Sequence, residues 1–286
     1  MSNHTVSDRF YFSTDTLSLV NKYSGATFVI KYGGSAMQNN SLQIDVIKDI
    51  SLLHVLGIKI VLVHGGGLFI NNWLNKLNIQ PKFENGIRVT DHDTMEIVEM
   101  VLSGNINKHL VSLFNQNNIL SIGLSGKDAN LINASPMFDN SKNLTGKVES
   151  VNTLILDILL SNNCLPVVAS VASDSDYNTY NVNADTAASS IASALKADKL
   201  ILLTDTPGVL RNVDDSSSLI SNLNLQSIKE LYSEQIISDG MIPKIESCVN
   251  ALNSNVKAAH IIDGRLKHSL LYEVLTSERV GSMIVL

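Results

Sequence analysis

Cysteine is scarce in this chain. Cys164 and Cys248 are the only two in 286 residues, and neither has a second Cys or a His at metal-ligand spacing. Neither a disulfide framework nor a zinc site is indicated, and both thiols are expected to be buried. Long apolar runs are missing as well. No stretch reaches the ~18 residues of a membrane span. The opening MSNHTVSDRF has neither the apolar region of a signal peptide nor the Arg-rich, acid-poor character of a transit peptide. The protein is therefore expected to act in the compartment where it is made, away from membranes. Basic runs are absent too, and the formal net charge is -6. Nucleic acid is thus not expected as a partner, and any phosphate must be held by a few placed groups. The seven histidines show no metal spacing, so no protein metal site is expected. Neither GxxxxGK[ST] nor GxGxxG occurs, and the HGGG at 64–67 lacks the GxSxG elbow of an α/β-hydrolase.

What is present is an apolar content of 44%, ample for one large or two modest domains. Residues 27–37, TFVIKYGGSAM, run a β-branched and aromatic strand into Lys31 and then a Gly33-Gly34 pair. Glycines there allow φ > 0 and close backbone approach, and a following helix start would aim free N–H groups at an anion. On its own the stretch reads first as a plain βα turn with a solvated lysine. A second copy of the device at 58–67, IKIVLVHGGG, shifts the weight toward a ligand site. Strands at 27–31, 58–63, 119–124, 165–171, 179–183, 199–204, 258–262 and 282–286 alternate with helices at 41–56, 68–78, 152–162, 185–196, 224–232, 243–254 and 267–275. A long helical stretch is expected over 91–117, and β-hairpin pieces over 127–151 serve as a flap. This rhythm gives an α/β fold with helices on both faces of one continuous, mostly parallel sheet and two lobes. Before it, residues 8–24 carry Phe10, Phe12, Leu17, Val20 and Tyr23 at roughly helical spacing, an arm whose apolar side chains need a surface to cover.

In open α/β sheets ligands sit beyond the carboxyl ends of the strands. Phosphoryl transfer needs cations and backbone N–H groups there more than it needs a base. Lys31 meets that need. So does Lys244, placed in a helix first turn, where a cation is unfavourable unless an anion shares the site. Asp185 reads either as a helix N-cap or first-turn acid or as the organiser of the two lysines. Arg88 is either a surface charge or a two-pronged grip on a carboxylate. His64, beside its glycine loop, reads as structural.

The motifs KYGGS, VHGGG, NGIRVTD, GLSGKDANLI, NVNAD, LLTDTPGV, GMIPKI and HIIDGR resemble, in order and spacing, those of N-acetylglutamate kinases within the amino acid kinase family. The resemblance runs from Thr27 to the last residue. It implies a three-layer αβα sandwich of the amino acid kinase fold, with a helical arm (1–26), a lobe for N-acetyl-L-glutamate and dimerisation (27–195) and an ATP lobe (196–286). By the same resemblance Lys31 and Lys244 are the transition-state lysines and Asp185 their organiser. Gly66, Gly67, Arg88 and Asn181 are the acetylglutamate contacts. Gly33, Gly34, Thr204, Asp205, Thr206, Pro207, Gly208, Val209 and Ser238 are the ATP positions. ATP would bring Mg2+, held mainly by the nucleotide. The rivals are an aspartate, glutamate, carbamate or UMP kinase of the same fold, or a non-catalytic sensor.

The arm resembles that of arginine-inhibited homohexamers, trimers of dimers. Residues 268–281, HSLLYEVLTSERVG, resemble the segment forming the L-arginine site there, with Glu278 and Gly281 the positions concerned. Two residues depart from the family pattern: Asp239 before GMIPK, and Arg279 in a stretch usually richer in Gly. The heavy use of Asn, Ser and Ile fits an AT-rich genome such as a plastid's, which makes the location cytoplasmic, or stromal if plastid-encoded. By analogy with cyanobacterial and plastid kinases, it also makes a PII signalling protein a candidate partner.

Overall fold

In the computed structural model, which describes residues 14–84, 87–139, 142–237 and 239–286, the apolar runs become strands. In chain order these are β1 (Thr27–Tyr32), β2 (Lys59–His64), β3 (Lys82–Glu84), β4 (Ile87–Val89), β5 (Ser121–Ser125), β6 (Ile132–Pro136) and β7 (Thr145–Val151). Then follow β8 (Leu165–Ala169), β9 (Val171–Ser173), β10 (Thr179–Val182), β11 (Lys199–Thr204), β12 (Asn222–Asn224), β13 (Ala258–Asp263) and β14 (Ser282–Val285). Eight of them form one sheet in the order β12-β14-β13-β11-β1-β2-β8-β5. Only β13 and β14 pair antiparallel within it. The helices are α1 (Thr14–Tyr23), α2 (Asn40–Val55), α3 (Gly67–Lys76), α4 (His92–Glu99), α5 (Asn107–Gln116), α6 (Leu154–Ser161), α7 (Ala184–Leu195), α8 (Leu225–Ser233), α9 (Ile242–Asn253) and α10 (Ser269–Leu275).

Strand alternation divides the core by sheet face. Phe28, Ile30, Ile60 and Leu62 enter one cluster, while Val29, Val61 and Val63 enter the other. Each cluster takes side chains from both ends of the chain: Leu203 and Ile262 join the first, Leu200 and Ile261 the second. A sheet buried on both faces has strands that read as unbroken apolar runs, which is why they were legible in the sequence.

Other features were not. The long helical stretch is interrupted by a π-helical segment, Met100–Ile106, between α4 and α5. The expected strand 165–171 breaks at Ser170 into β8, in the large sheet, and β9, which leaves it. With β9 and β10, the expected hairpin β6-β7 closes a small four-stranded barrel instead of lying as a simple flap. Finally, a short antiparallel hairpin, β3-β4, pairs Phe83 with Arg88 across its strands.

Of the arm, α1 is helical as expected and packs against α10. Val20 and Tyr23 lie against the core, the Tyr23 ring standing edge-on to Phe28 at 5.4 Å, while Leu17 is 57% exposed. Phe10 and Phe12 lie outside the described residues. Both cysteines are buried thiols.

Candidate active site

The parallel register of β1 with β2 sets Tyr32 beside His64, so the two glycine loops leave the sheet side by side. Gly65 donates its amide hydrogen to the Tyr32 carbonyl at 3.3 Å. In the first loop Gly34 has φ 78°, a conformation that favours glycine. A Cβ there would also lie within 2.6 Å of an Asp205 carboxylate oxygen. That carboxylate accepts hydrogen bonds from the Ser35 amide at 2.9 Å and the Ser35 hydroxyl at 3.0 Å, tying the end of β11 to the loop after β1. In the second loop a Cβ on Gly66 would run into Ile106 and stand 2.8 Å from Leu102. The π-helical segment thus forms the wall behind this loop, and α3 starts there with no side-chain cap on its first N–H groups.

Opposite the loops, α7 begins after Asn183, whose side chain caps the helix by accepting from Asp185 N at 2.8 Å and Thr186 N at 3.2 Å. The capping alternative for Asp185 is thereby taken by Asn183. Asp185 is instead clasped between two ammonium groups. Lys31 Nζ, from β1, lies 2.9 Å from Oδ1, and Lys244 Nζ, from the first turn of α9, lies 2.9 Å from Oδ2. Burial raises the carboxyl pKa, but the two lysines outweigh it and hold the group down to about 2. The shared anion accounts for a cation in the first turn of α9.

The loops, Asp185 and both lysines line one cavity of about 290 Å³, together with Arg88, Asn181 and Ser170. Arg88 rises from β4 and is buried, 8% exposed. Its Nη2 donates to Asn71 Oδ1 at 2.6 Å and to the Gly67 carbonyl at 3.1 Å. The Phe83 ring lies 4.8 Å from its Cζ, and its buried Nη1 has no partner. Burial pulls its pKa below the usual guanidinium range. Asn181 donates to Thr90 Oγ1 at 3.0 Å. His64 is fully buried, and burial lowers its pKa to about 4. Its neutral ring contacts Asn107 Nδ2 at 3.1 Å, a structural position.

The structure thus brings Lys31, Gly33, Gly34, Gly66, Gly67, Arg88, Asn181, Asp185 and Lys244 around one space. Thr204 to Val209 do not line it. Thr204 is buried and its carbonyl accepts from Gly264 N at 2.9 Å. Thr206 Oγ1 is buried without a partner, and Val209 sits in the core with its amide on Ser282 Oγ at 2.9 Å. Pro207 and Gly208 lie between them, and Ser238 lies outside the described residues. Glu278 and Gly281 are also remote. Glu278 is exposed, whereas the Gly281 amide is buried and donates to Glu273 Oε2 at 3.1 Å. Fully buried Glu273 also accepts from the Val280 amide at 3.0 Å and contacts His260 Nδ1 at 2.7 Å. Arg279 Nη1 donates to the Glu273 carbonyl at 3.1 Å, so the departure at 279 braces this buried acid.

Asn71, Phe83 and the Leu102/Ile106 wall escaped the sequence reading. Asn183 lies in the NVNAD motif, but its role as the helix cap escaped as well, although an Asn two residues before an acid at the start of an apolar helix signals one.

Residues 26–263 match the amino acid kinase family. The chain belongs to the amino acid kinase family. Within the family it is 56% identical to an acetylglutamate kinase of Gracilaria tenuistipitata var. liui over 280 residues, 98% of each chain. It is 47% identical to one of Prochlorococcus marinus (strain MIT 9215), covering 98% of this chain and 99% of that one. Among solved structures it superposes on N-acetylglutamate synthase from Neisseria gonorrhoeae, complexed with coenzyme A and N-acetyl-glutamate, with a TM-score of 0.84 at 23% identity. The match covers 95% of this chain but 62% of that longer protein, and at that identity it shows the shared fold alone. Like other kinases of the family, the chain uses ATP. Among the described residues no helix is long and apolar enough to cross a membrane.

Proposed function

We propose that the protein transfers the γ-phosphoryl group of ATP to the γ-carboxylate of N-acetyl-L-glutamate, giving N-acetyl-L-glutamyl 5-phosphate and ADP in arginine biosynthesis. The observation that carries this is the pair of ammonium groups held 2.9 Å from one buried carboxylate, facing two glycine loops and a guanidinium with a free buried nitrogen. In the reaction a carboxylate oxygen forms a bond to the γ-phosphorus while the bond to the β–γ bridging oxygen breaks, its electrons leaving with ADP. The attacking carboxylate is already ionised at neutral pH, so no base is needed. Lys31 meets charge on the moving phosphoryl group, Lys244 meets the donor side, and the amides of Gly34 and Gly66 complete the cage. Arg88, Asn181, Gly66 and Gly67 hold the acceptor. Residues 27–195 serve as the acceptor lobe and 196–286 as the ATP lobe, with Gly33, Thr204 to Val209 and Ser238 on the nucleotide side.

Asp185, the carboxylate in the cavity lining, is committed to two lysines, which favours a Mg2+ held mainly by the nucleotide phosphates. A hydroxamate trap with an acceptor panel tests the activity. Acetylglutamate-dependent ADP release is expected, with aspartate, glutamate, carbamate and UMP inert. Turnover of one of those in its place would assign a sister activity, and ATP binding without turnover would make the chain a sensor.

We further propose that the arm, residues 1–26, closes three dimers into a hexamer. Support comes from α1, whose Leu17 is 57% exposed although α1 already rests on α10. A closed ring covers such a surface without leaving open ends. L-arginine would inhibit by favouring a wider lobe separation, through the segment containing Glu278 and Gly281 beside the base of the arm. Deleting residues 1–24 should yield an active dimer insensitive to arginine, measured by light scattering and inhibition curves. A truncated hexamer, or unchanged inhibition, would refute the role of the arm. The red algal and cyanobacterial relatives are consistent with a plastid or cytoplasmic location, and a PII protein is proposed as partner by analogy alone. Co-elution with a cognate PII protein at low ADP checks the latter.

A further inference from the structure

Arg88 has one edge engaged and one free. Its Nη2 meets two acceptors on α3, Gly67 O at 3.1 Å and Asn71 Oδ1 at 2.6 Å. Residues four apart lie on one face of a helix, so both acceptors reach the same nitrogen. The Arg88 Cζ lies over the Phe83 ring, 4.8 Å from its centroid. Three contacts therefore fix the fork, and Nη1 stays buried without a partner in a residue lining the cavity. A buried donor left unpaired is unfavourable unless a ligand takes it.

We propose that Asn71 is a positioning residue: by holding Nη2 it aims the free edge of Arg88 at the carboxylate of the acceptor. The proposal rests on the acceptor reading above. Asn71 itself touches no reacting atom. Without it Nη2 keeps only the Gly67 carbonyl, the guanidinium swings, and the acceptor must reorder it on binding. The effect belongs on acceptor affinity, with the phosphoryl-transfer machinery at Asp185 untouched. Phe83, which restrains the same group by its face, should act in the same direction and more weakly.

The test is steady-state kinetics on the full-length chain. Asn71→Ala should raise the acetylglutamate KM about tenfold, the size expected from a hydrogen bond to a charged group, with kcat and the ATP KM within about twofold of the parent. Phe83→Leu should raise the same KM by roughly threefold. In an Arg88→Ala background, itself weakened about a hundredfold in acceptor KM, both changes should be silent, because their object is gone. An unchanged KM in Asn71→Ala overturns the proposal. So does a full tenfold effect that persists without Arg88, or an equal rise in the ATP KM. A merely structural role would lower Tm and disturb both substrates in either background. A parent without acetylglutamate-dependent turnover would fell the acceptor reading and this proposal together; an active parent with an unchanged Asn71→Ala would fell this proposal alone.

Discussion

Lys31→Ala and Lys244→Ala should each lower kcat by about a hundredfold or more, equivalent to ~3 kcal/mol of lost transition-state stabilisation. Each ammonium reaches Asp185 at 2.9 Å from a different element, β1 for Lys31 and α9 for Lys244, so neither can replace the other in direction. Removing one leaves Asp185 still paired with its neighbour, and no uncompensated buried charge results. The loss should therefore appear in turnover and far less in folding. The two variants should also differ. Lys31 lies beside Gly33, where a Cβ would stand 3.0 Å from its Nζ, and in the proposed reaction it meets charge on the moving phosphoryl group. Its loss should leave both KM values near parental and depress kcat. Lys244, on the donor side, should add a rise in the ATP KM. Hydroxamate-trap kinetics at saturating substrates read these effects directly. Near-parental kcat in either variant would remove that lysine from the mechanism.

The site was legible in the sequence where one residue type announced its own chemistry. A lysine delivered by a strand into paired glycines, and a second one stranded in a helix first turn, are locally unfavourable or locally expensive arrangements, and such conflicts mark function. The sheet was legible because strands buried on both faces leave uniform apolar runs. What escaped depends on contacts between distant segments. Nothing in MVLSGNI announces a π-helical turn; its value lies in where it sets Leu102 and Ile106 against Gly66. Asp205 reads as a nucleotide contact from its motif, and nothing in that motif announces that it also accepts from Ser35, 170 residues away. The break at Ser170 is likewise invisible in LPVVASVAS, because both halves are apolar and both are buried. Periodicity reports which face a residue takes, and none of these three is a question of face.

Asp185→Asn should be the most damaging single change at the site, to stability and turnover together. The substitution preserves size but removes the anion shared by two ammonium groups whose side chains are 11% and 19% exposed. Breaking a buried pair by removing one partner leaves unbalanced charge and typically lowers stability by ~3–5 kcal/mol. The freed lysines repel, lose their common direction, and turnover should fall by about a thousandfold. Their unmet charge will accept phosphates instead, so ATP should raise Tm more in Asp185→Asn than in the parent while supporting almost no reaction. Acid gives a second readout. The folded carboxyl titrates at about 2 and the unfolded one near 4. A depressed carboxyl pKa supplies stability that is fully present above the unfolded value and is lost as the pH falls through the folded one. The parent should therefore shed about 2–3 kcal/mol between roughly pH 4 and pH 2 through this group, and Asp185→Asn should lack that component in denaturant melts across the same window. Parallel acid profiles would mean that the two lysines do not stabilise the buried anion, and with it would go the assignment of Asp185 as their organiser.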